Sequence, residues 1–216
     1  MKVGTDALLL GAWVEVDPFD VVLDVGTGCG LLPLMLAQKG VAKVHGVELD
    51  EPSAVEAAGN FEASRWRDRL FAFHADIRRF DMGCRYDLIV SNPPFFINSS
   101  PCDGERKNRT RHAEATLSFA ELVAAVKRLL KPGGRFALVL PERESHDFLL
   151  IARRYGLYLQ KQQQLIPLEG REANRLNLEL GLEPSPRIQQ STLVLRDGQG
   201  HVTEAFKATL KDFYLG

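Results

Sequence analysis

The sequence has only three cysteines, Cys29, Cys84 and Cys102, and none stands in a Cys-x-x-Cys or mixed Cys/His spacing. That excludes a disulfide framework and a structural zinc. An excess of charge of either sign is also missing: 27 lysines and arginines face 28 acidic residues, for a formal net charge of −1. No global field draws the chain toward nucleic acid, so any basic face has to be local. No apolar run reaches the ~20 residues of a membrane span, and no basic flank leads into an apolar signal core. The histidines, His45, His74, His112, His146 and His201, show no metal-like grouping, and no Ser-His-Asp or Cys-His arrangement is suggested. The expectation is a cytoplasmic enzyme with no metal and no membrane contact, with a monomer favoured.

What is present is ordinary globular material. The chain has 216 residues, 45% of them apolar and 25% charged. That is enough to bury a core, and it reads most economically as one domain over 1–216. The apolar run at 21–25 ends in glycines and suits a buried parallel strand. A helix pattern follows at 31–39, closed by Gly40, then a strand at 44–48. Pro52 sits in the first turn of a helix reaching 62. Strands are expected at 70–75 and 86–91, a helix at 119–130 stopping at Lys131-Pro132-Gly133-Gly134, a strand at 135–140 and a helix at 145–155. Two further strands are expected at 157–168 and 191–196, separated by a polar stretch, 169–190, with no legible period. Strand alternating with helix means a parallel sheet covered on both faces. Two late strands without a helix between them suggest an antiparallel hairpin at one edge, for seven strands in all.

The chemistry concentrates at the ends of these strands. Asp24-Val25-Gly26-Thr27-Gly28-Cys29-Gly30 marks the turn from first strand to first following helix, where glycines let backbone approach a ligand and a helix N-terminus favours negative charge. A dinucleotide site would want G-x-G-x-x-G. Here Leu31 replaces the last glycine, which favours a nucleoside ligand without a pyrophosphate and disfavours a nicotinamide oxidoreductase. Glu48 ends the second strand, where a carboxylate can accept both ribose hydroxyls. Asp76 follows the third and can accept from an adenine amine. Each acid alone would pass for a solvated loop residue; at consecutive strand ends they form a constellation. Leu49 and Ile77, next to these acids, join the cofactor side, and Asp24 is expected to orient the loop or the ligand's amino group.

Ser91-Asn92-Pro93-Pro94-Phe95-Phe96 follows the fourth strand. Two prolines fix φ and remove two N–H donors, so the Asn92 side-chain oxygen and the Pro93 carbonyl can both accept from one planar NH₂ group. An amine on a heteroaromatic ring is a poor nucleophile, and two aimed acceptors turn its lone pair toward an electrophile without a strong base. Phe95 supplies a stacking face for an unpaired base. Arg106, Lys107, Arg109 and Arg111 lie just beyond, placed to meet RNA phosphates beside the base; a solvated charge run is the bland alternative.

At these residues the chain resembles class I S-adenosylmethionine-dependent methyltransferases of planar NH₂ groups. That implies a Rossmann-like fold, S-adenosylmethionine as cofactor, catalytic roles for Asn92, Pro93, Pro94 and Phe95, and Asn92 beside the cofactor. More narrowly, Met1-Lys2-Val3-Gly4-Thr5-Asp6 with Leu10-Gly11-Ala12-Trp13, and Arg111-His112 with Leu117-Ser118-Phe119, are similar to bacterial tRNA1(Val) adenine-37 N6-methyltransferases. This resemblance implies a cofactor-side role for Lys2, Gly4, Thr5 and Asp6 and a tRNA substrate. It also implies that residues such proteins carry ahead of this point are lacking. Methylation of a glutamine amide, of ribosomal guanine N2 or of DNA adenine stands as an alternative, as does a non-catalytic cofactor- or RNA-binding module.

Overall fold

A computed structural model describes residues 4–93 and 117–213. In chain order they form α1 (Thr5–Trp13), β1 (Val21–Val25), α2 (Leu31–Gln38), β2 (Lys43–Glu48), α3 (Glu51–Glu62), β3 (Leu70–His74), β4 (Tyr86–Ser91), α4 (Phe119–Leu129), β5 (Leu130–Pro141), α5 (Glu142–Arg154), β6 (Tyr158–Ile166), β7 (Arg175–Gly181), β8 (Gln189–Val194) and α6 (Glu204–Leu210). The strands make one sheet in the order β3-β2-β1-β4-β5-β7-β6-β8.

Neighbouring residues on a strand point to opposite faces, and the two cores follow that rule. Val22, Leu88 and Val90 pack with Leu9, Leu10, Leu36 and Phe61 beneath α1, α2 and α3. Leu23, Ile89 and Phe136 pack with Leu122, Val126 and Phe148 beneath α4 and α5. Central strands buried on both faces read as continuous apolar runs, which is why β1 and β4 are legible as parallel strands. Each wholly buried side chain of this size contributes about 1.5–3 kcal/mol.

Three expectations are corrected. Among the described residues the sheet has eight strands, against seven expected. The antiparallel hairpin is real, but it joins β6 to β7, inside the stretch that shows no period. The segment expected to complete it, β8, instead runs parallel to β6 as the outermost strand. β7 is therefore the one strand among those described that opposes the rest. Its polar alternates, Asn177 and Glu179, are buried and partly paired, the Asn177 side-chain oxygen alone of the two residues' polar groups being buried without a partner. Asn177 donates to Gln163 at 3.1 Å and Arg135 reaches Glu179 at 3.3 Å. Finally, β5 includes Lys131-Pro132-Gly133-Gly134, expected as a turn, since a register irregularity against β4 lets pairing begin at Tyr86–Leu130.

Candidate active site

The C-terminal edge of the parallel strands gathers the glycine loop, Glu48, Asp76, Asn92 and Pro93. Gly26 and Thr27 donate their backbone N–H groups to the Val47 carbonyl at 2.9 and 3.1 Å, tying the glycine loop to the end of β2. Gly46 has no room for a side chain, since an added Cβ would meet the Thr27 hydroxyl at 2.7 Å. Gly30 has a φ of 86° and is the N-cap of α2, whose N-terminus thus faces this edge. Ser91 donates to the Val25 carbonyl at 2.8 Å, so the residue after it, Asn92, emerges next to the loop. Pro93 is buried and Asn92 half-buried.

Glu48 is held rather than loose. One carboxylate oxygen accepts from Gly28 N–H at 2.9 Å, the other from Leu49 and Asp50 N–H at 2.9 and 3.0 Å. A carboxylate has about four acceptor sites, so capacity remains for a hydroxyl ligand. Leu49 is exposed beside it, and Ile77 is buried against the α4 side.

Several polar atoms at this edge are buried with no hydrogen-bond partner: both Asp24 carboxylate oxygens, the Thr27 hydroxyl and the Asn92 side-chain oxygen. Buried polar groups are ordinarily paired, and leaving one unmet costs ~1–3 kcal/mol. A cluster of unmet acceptors is the signature of a site that takes a ligand bearing donors. S-adenosylmethionine, with its ammonium, hydroxyl and amine groups, fits that set.

Burial pushes the Asp24 carboxyl up to about 7; the nearby Thr27 hydroxyl moderates the rise, and the Glu48 charge adds to it. An acid whose folded pKa is raised destabilises the fold as it ionises. With no ligand, wild-type stability relative to Asp24→Asn is expected to fall as pH rises from about 4 to about 7, then level off. The size is at most roughly 4 kcal/mol, at 1.36 kcal/mol per unit. Urea melts of both proteins across this range test it; a constant difference would refute the raised pKa.

Two acids have partners the sequence does not announce. The Asp76 carboxylate is engaged by Arg78, which also reaches Glu121 of α4 at 3.3 Å. Asp6, in the first turn of α1, pairs with Arg175 at 3.0 Å. Arg175 stands opposite Pro141 at the top of β5, so this pair brings Gly4, Thr5 and Asp6 to the ligand edge. At the other end of α1, the Lys39 ammonium donates to the carbonyls of Gly11, Ala12 and Val14. Sequence reasoning misses Arg78, Ser91 and Lys39. Only Arg78 leaves a signal, since an acid two residues before an N–H closes an Asx turn. Lys2, Pro94, Phe95, Arg106, Lys107, Arg109 and Arg111 lie outside the described residues.

Comparison with known proteins bears on the fold and the family. The family model described as the methyltransferase small domain matches residues 2–156. The tRNA1(Val) (adenine(37)-N6)-methyltransferase of Trichodesmium erythraeum is 40% identical over 220 residues, covering 100% of this chain and 91% of that protein. Its namesake in Parabacteroides distasonis is 37% identical over 217 residues, with the same coverage. Among solved structures, a predicted O-methyltransferase from Agrobacterium tumefaciens superimposes with a TM-score of 0.72, covering 96% of each chain. At 17% identity that likeness bears on the fold alone. A glycine loop closed onto β2, a held acid at the end of β2 and an orphaned Asn92 oxygen at the end of β4 thus occur on a methyltransferase fold, in a chain that belongs to the tRNA1(Val) (adenine(37)-N6)-methyltransferase family.

Proposed function

We propose that the protein transfers the methyl group of S-adenosylmethionine to the exocyclic N6 of adenine 37 in tRNA1(Val). The observation that carries this reading is the Asn92 side-chain oxygen. It is buried, has no partner, and stands at the end of β4 against the glycine loop. When bound, S-adenosylmethionine supplies an electrophilic methyl group on a sulfonium. Everything else falls to this chain.

Gly26, Gly28 and Gly30 keep the loop low enough for a ligand to lie on backbone, and Glu48 accepts ribose hydroxyls with its spare lone pairs. Leu49 covers the base on one side, while Asp76 and Ile77 meet its edge. Asp24 and Thr27 face the ammonium end, joined by Lys2, Gly4 and Thr5. Asp6 acts through its ion pair with Arg175, which anchors α1 there. The Asn92 oxygen and the Pro93 carbonyl accept the two N–H groups of the target amine, so that its lone pair faces the methyl. Neither acceptor is a strong base; the gain is orientation and preorganised polarity. Pro94 stiffens the turn, and Phe95 stacks on the base. Unpaired loop adenines suit this arrangement because extruding them costs less than opening a duplex. Arg106, Lys107, Arg109 and Arg111 hold the phosphates beside it, which makes binding salt-dependent. We read the chain as one domain, monomeric, working in the cytoplasm where tRNA is found. Among the described residues no helix is long and apolar enough to cross a membrane.

The test is label transfer from radioactive S-adenosylmethionine to total unmodified tRNA, to ribosomal RNA and to release-factor protein, followed by nucleoside mass spectrometry. N6-methyladenosine in tRNA is the expected product. Label in protein would move the enzyme to amide methylation. Cofactor binding with no transfer to any of the three would leave a binding module.

A further inference from the structure

We propose that Arg78 is a positioning residue for the cofactor-side carboxylate of Asp76, and that Glu121 steers it from α4. The inference rests on the reading that the cofactor's adenine lies at Asp76. Asp76 is not free to choose its orientation. Its Oδ1 accepts from the Arg78 backbone N–H at 2.9 Å, closing an Asx turn. The same residue's guanidinium then returns onto the carboxylate, with Nε 2.9 Å from each oxygen and Nη2 2.7 Å from Oδ2. A planar fork of this kind sets the rotation of a carboxylate as well as its place. It occupies one edge of the carboxylate and leaves the remaining lone pairs for a donor in the same plane.

Arg78 is in turn held from outside the loop. Its Nη1 meets Glu121 Oε1 at 3.3 Å. The other Glu121 oxygen accepts from the Ser118 backbone N–H and hydroxyl at 2.9 and 2.7 Å, completing the capping box of α4. Because α4 is packed into the core through Phe119, Leu122 and Val126, its first turn is a fixed point. Two helical turns further along, Arg128 donates to the carbonyls of Phe80 and Ile77 at 2.8 and 3.1 Å. Residues seven apart share a helix face, so one face of α4 grips the segment after β3 at both ends. The chain Ser118–Glu121–Arg78–Asp76 thus runs from a rigid helix terminus to the ligand edge. It is built for orientation more than for stability, since pairs this exposed contribute little to folding.

The experiment measures S-adenosylhomocysteine dissociation constants by calorimetry, and ligand-free thermal melting, for wild type, Asp76→Ala, Arg78→Met, Arg78→Lys, Glu121→Gln and the Arg78→Met/Glu121→Gln double variant. Asp76→Ala and Arg78→Met are expected to weaken binding roughly tenfold, the scale of hydrogen bonds to a charged group. Arg78→Lys keeps the charge without the fork and should not restore affinity. Glu121→Gln keeps an acceptor for Ser118; it should cost about two- to fivefold alone, in line with an exposed ion pair, and nothing further in the Arg78→Met background. Melting temperatures should stay close to wild type throughout. Full affinity in Arg78→Met, full rescue by Arg78→Lys, or an undiminished Glu121→Gln loss in the double variant would each overturn the positioning role while the cofactor site stands. Unchanged binding by Asp76→Ala would overturn it together with the placement of adenine at Asp76.

Discussion

Asn92→Ala is expected to lower kcat for tRNA methylation by roughly 10²–10³-fold, the scale seen when one preorganised polar group is removed from a reacting centre. β4 pairs with β1 through Ser91 opposite Val25, and the Ser91 hydroxyl locks onto the Val25 carbonyl. The next residue is thereby delivered to the glycine loop, with its side-chain oxygen buried and unmet. Truncation removes that acceptor and little else, so the fold should hold. Cofactor affinity should change by less than about tenfold, since a single neutral hydrogen bond contributes about 0.5–1.5 kcal/mol. Asn92→Asp, which keeps an acceptor oxygen, should fall less far than alanine. Single-turnover rates alongside S-adenosylhomocysteine titrations separate the two effects. A kcat within tenfold of wild type for Asn92→Ala would remove Asn92 from the chemistry.

The second large effect is structural and has an internal control. Gly30 and Gly40 both adopt positive φ, 86° and 101°, where an L side chain costs about 1–2 kcal/mol. They differ in surroundings. A Cβ on Gly30 would stand 2.4 Å from Phe61 Cε1 and 2.9 Å from Cζ, whereas one on Gly40 would meet nothing within 4 Å. Phe61 is 2% exposed and cannot swing away without opening the core beneath α2 and α3, so overpacking adds roughly 1–3 kcal/mol. Gly30→Ala should therefore destabilise by about 2–5 kcal/mol, lowering the melting temperature by roughly 2–4 °C for each kcal/mol in a chain of this size. Gly40→Ala should cost no more than about 2 kcal/mol. Only Gly30→Ala should also damage cofactor binding, because the displaced group is the N-terminus of α2 at the ligand edge. Equal melting temperatures for the two variants would mean that Phe61 yields and that the contact sets no limit.

Much of this is legible in the order of the amino acids alone. Val21–Val25 and Tyr86–Ser91 are strands with the bounds that their apolar runs suggest, because strands buried on both faces must be apolar at nearly every position. The positions of the glycine loop, Glu48 and Asn92 at the ends of β1, β2 and β4 are likewise readable, because each directly follows or closes an apolar strand run. These are local demands, met within a few residues of chain.

What the sequence could not determine on its own is who stands beside whom across long separations. β7 hides in a polar stretch because Asn177 and Glu179 read as surface residues. Once buried, the Asn177 amide N–H and the Glu179 carboxylate are met by Gln163 and Arg135 from other strands. The outermost place of β8, the pairing of Asp6 with Arg175 and the line from Asp76 through Arg78 to Glu121 are of the same kind. Apolar periodicity reports which face of an element is buried, because that is a property of the element alone. Which partner satisfies a buried charge, and so which carboxylate is held in one orientation, depends on strand order, and only the assembled sheet decides it.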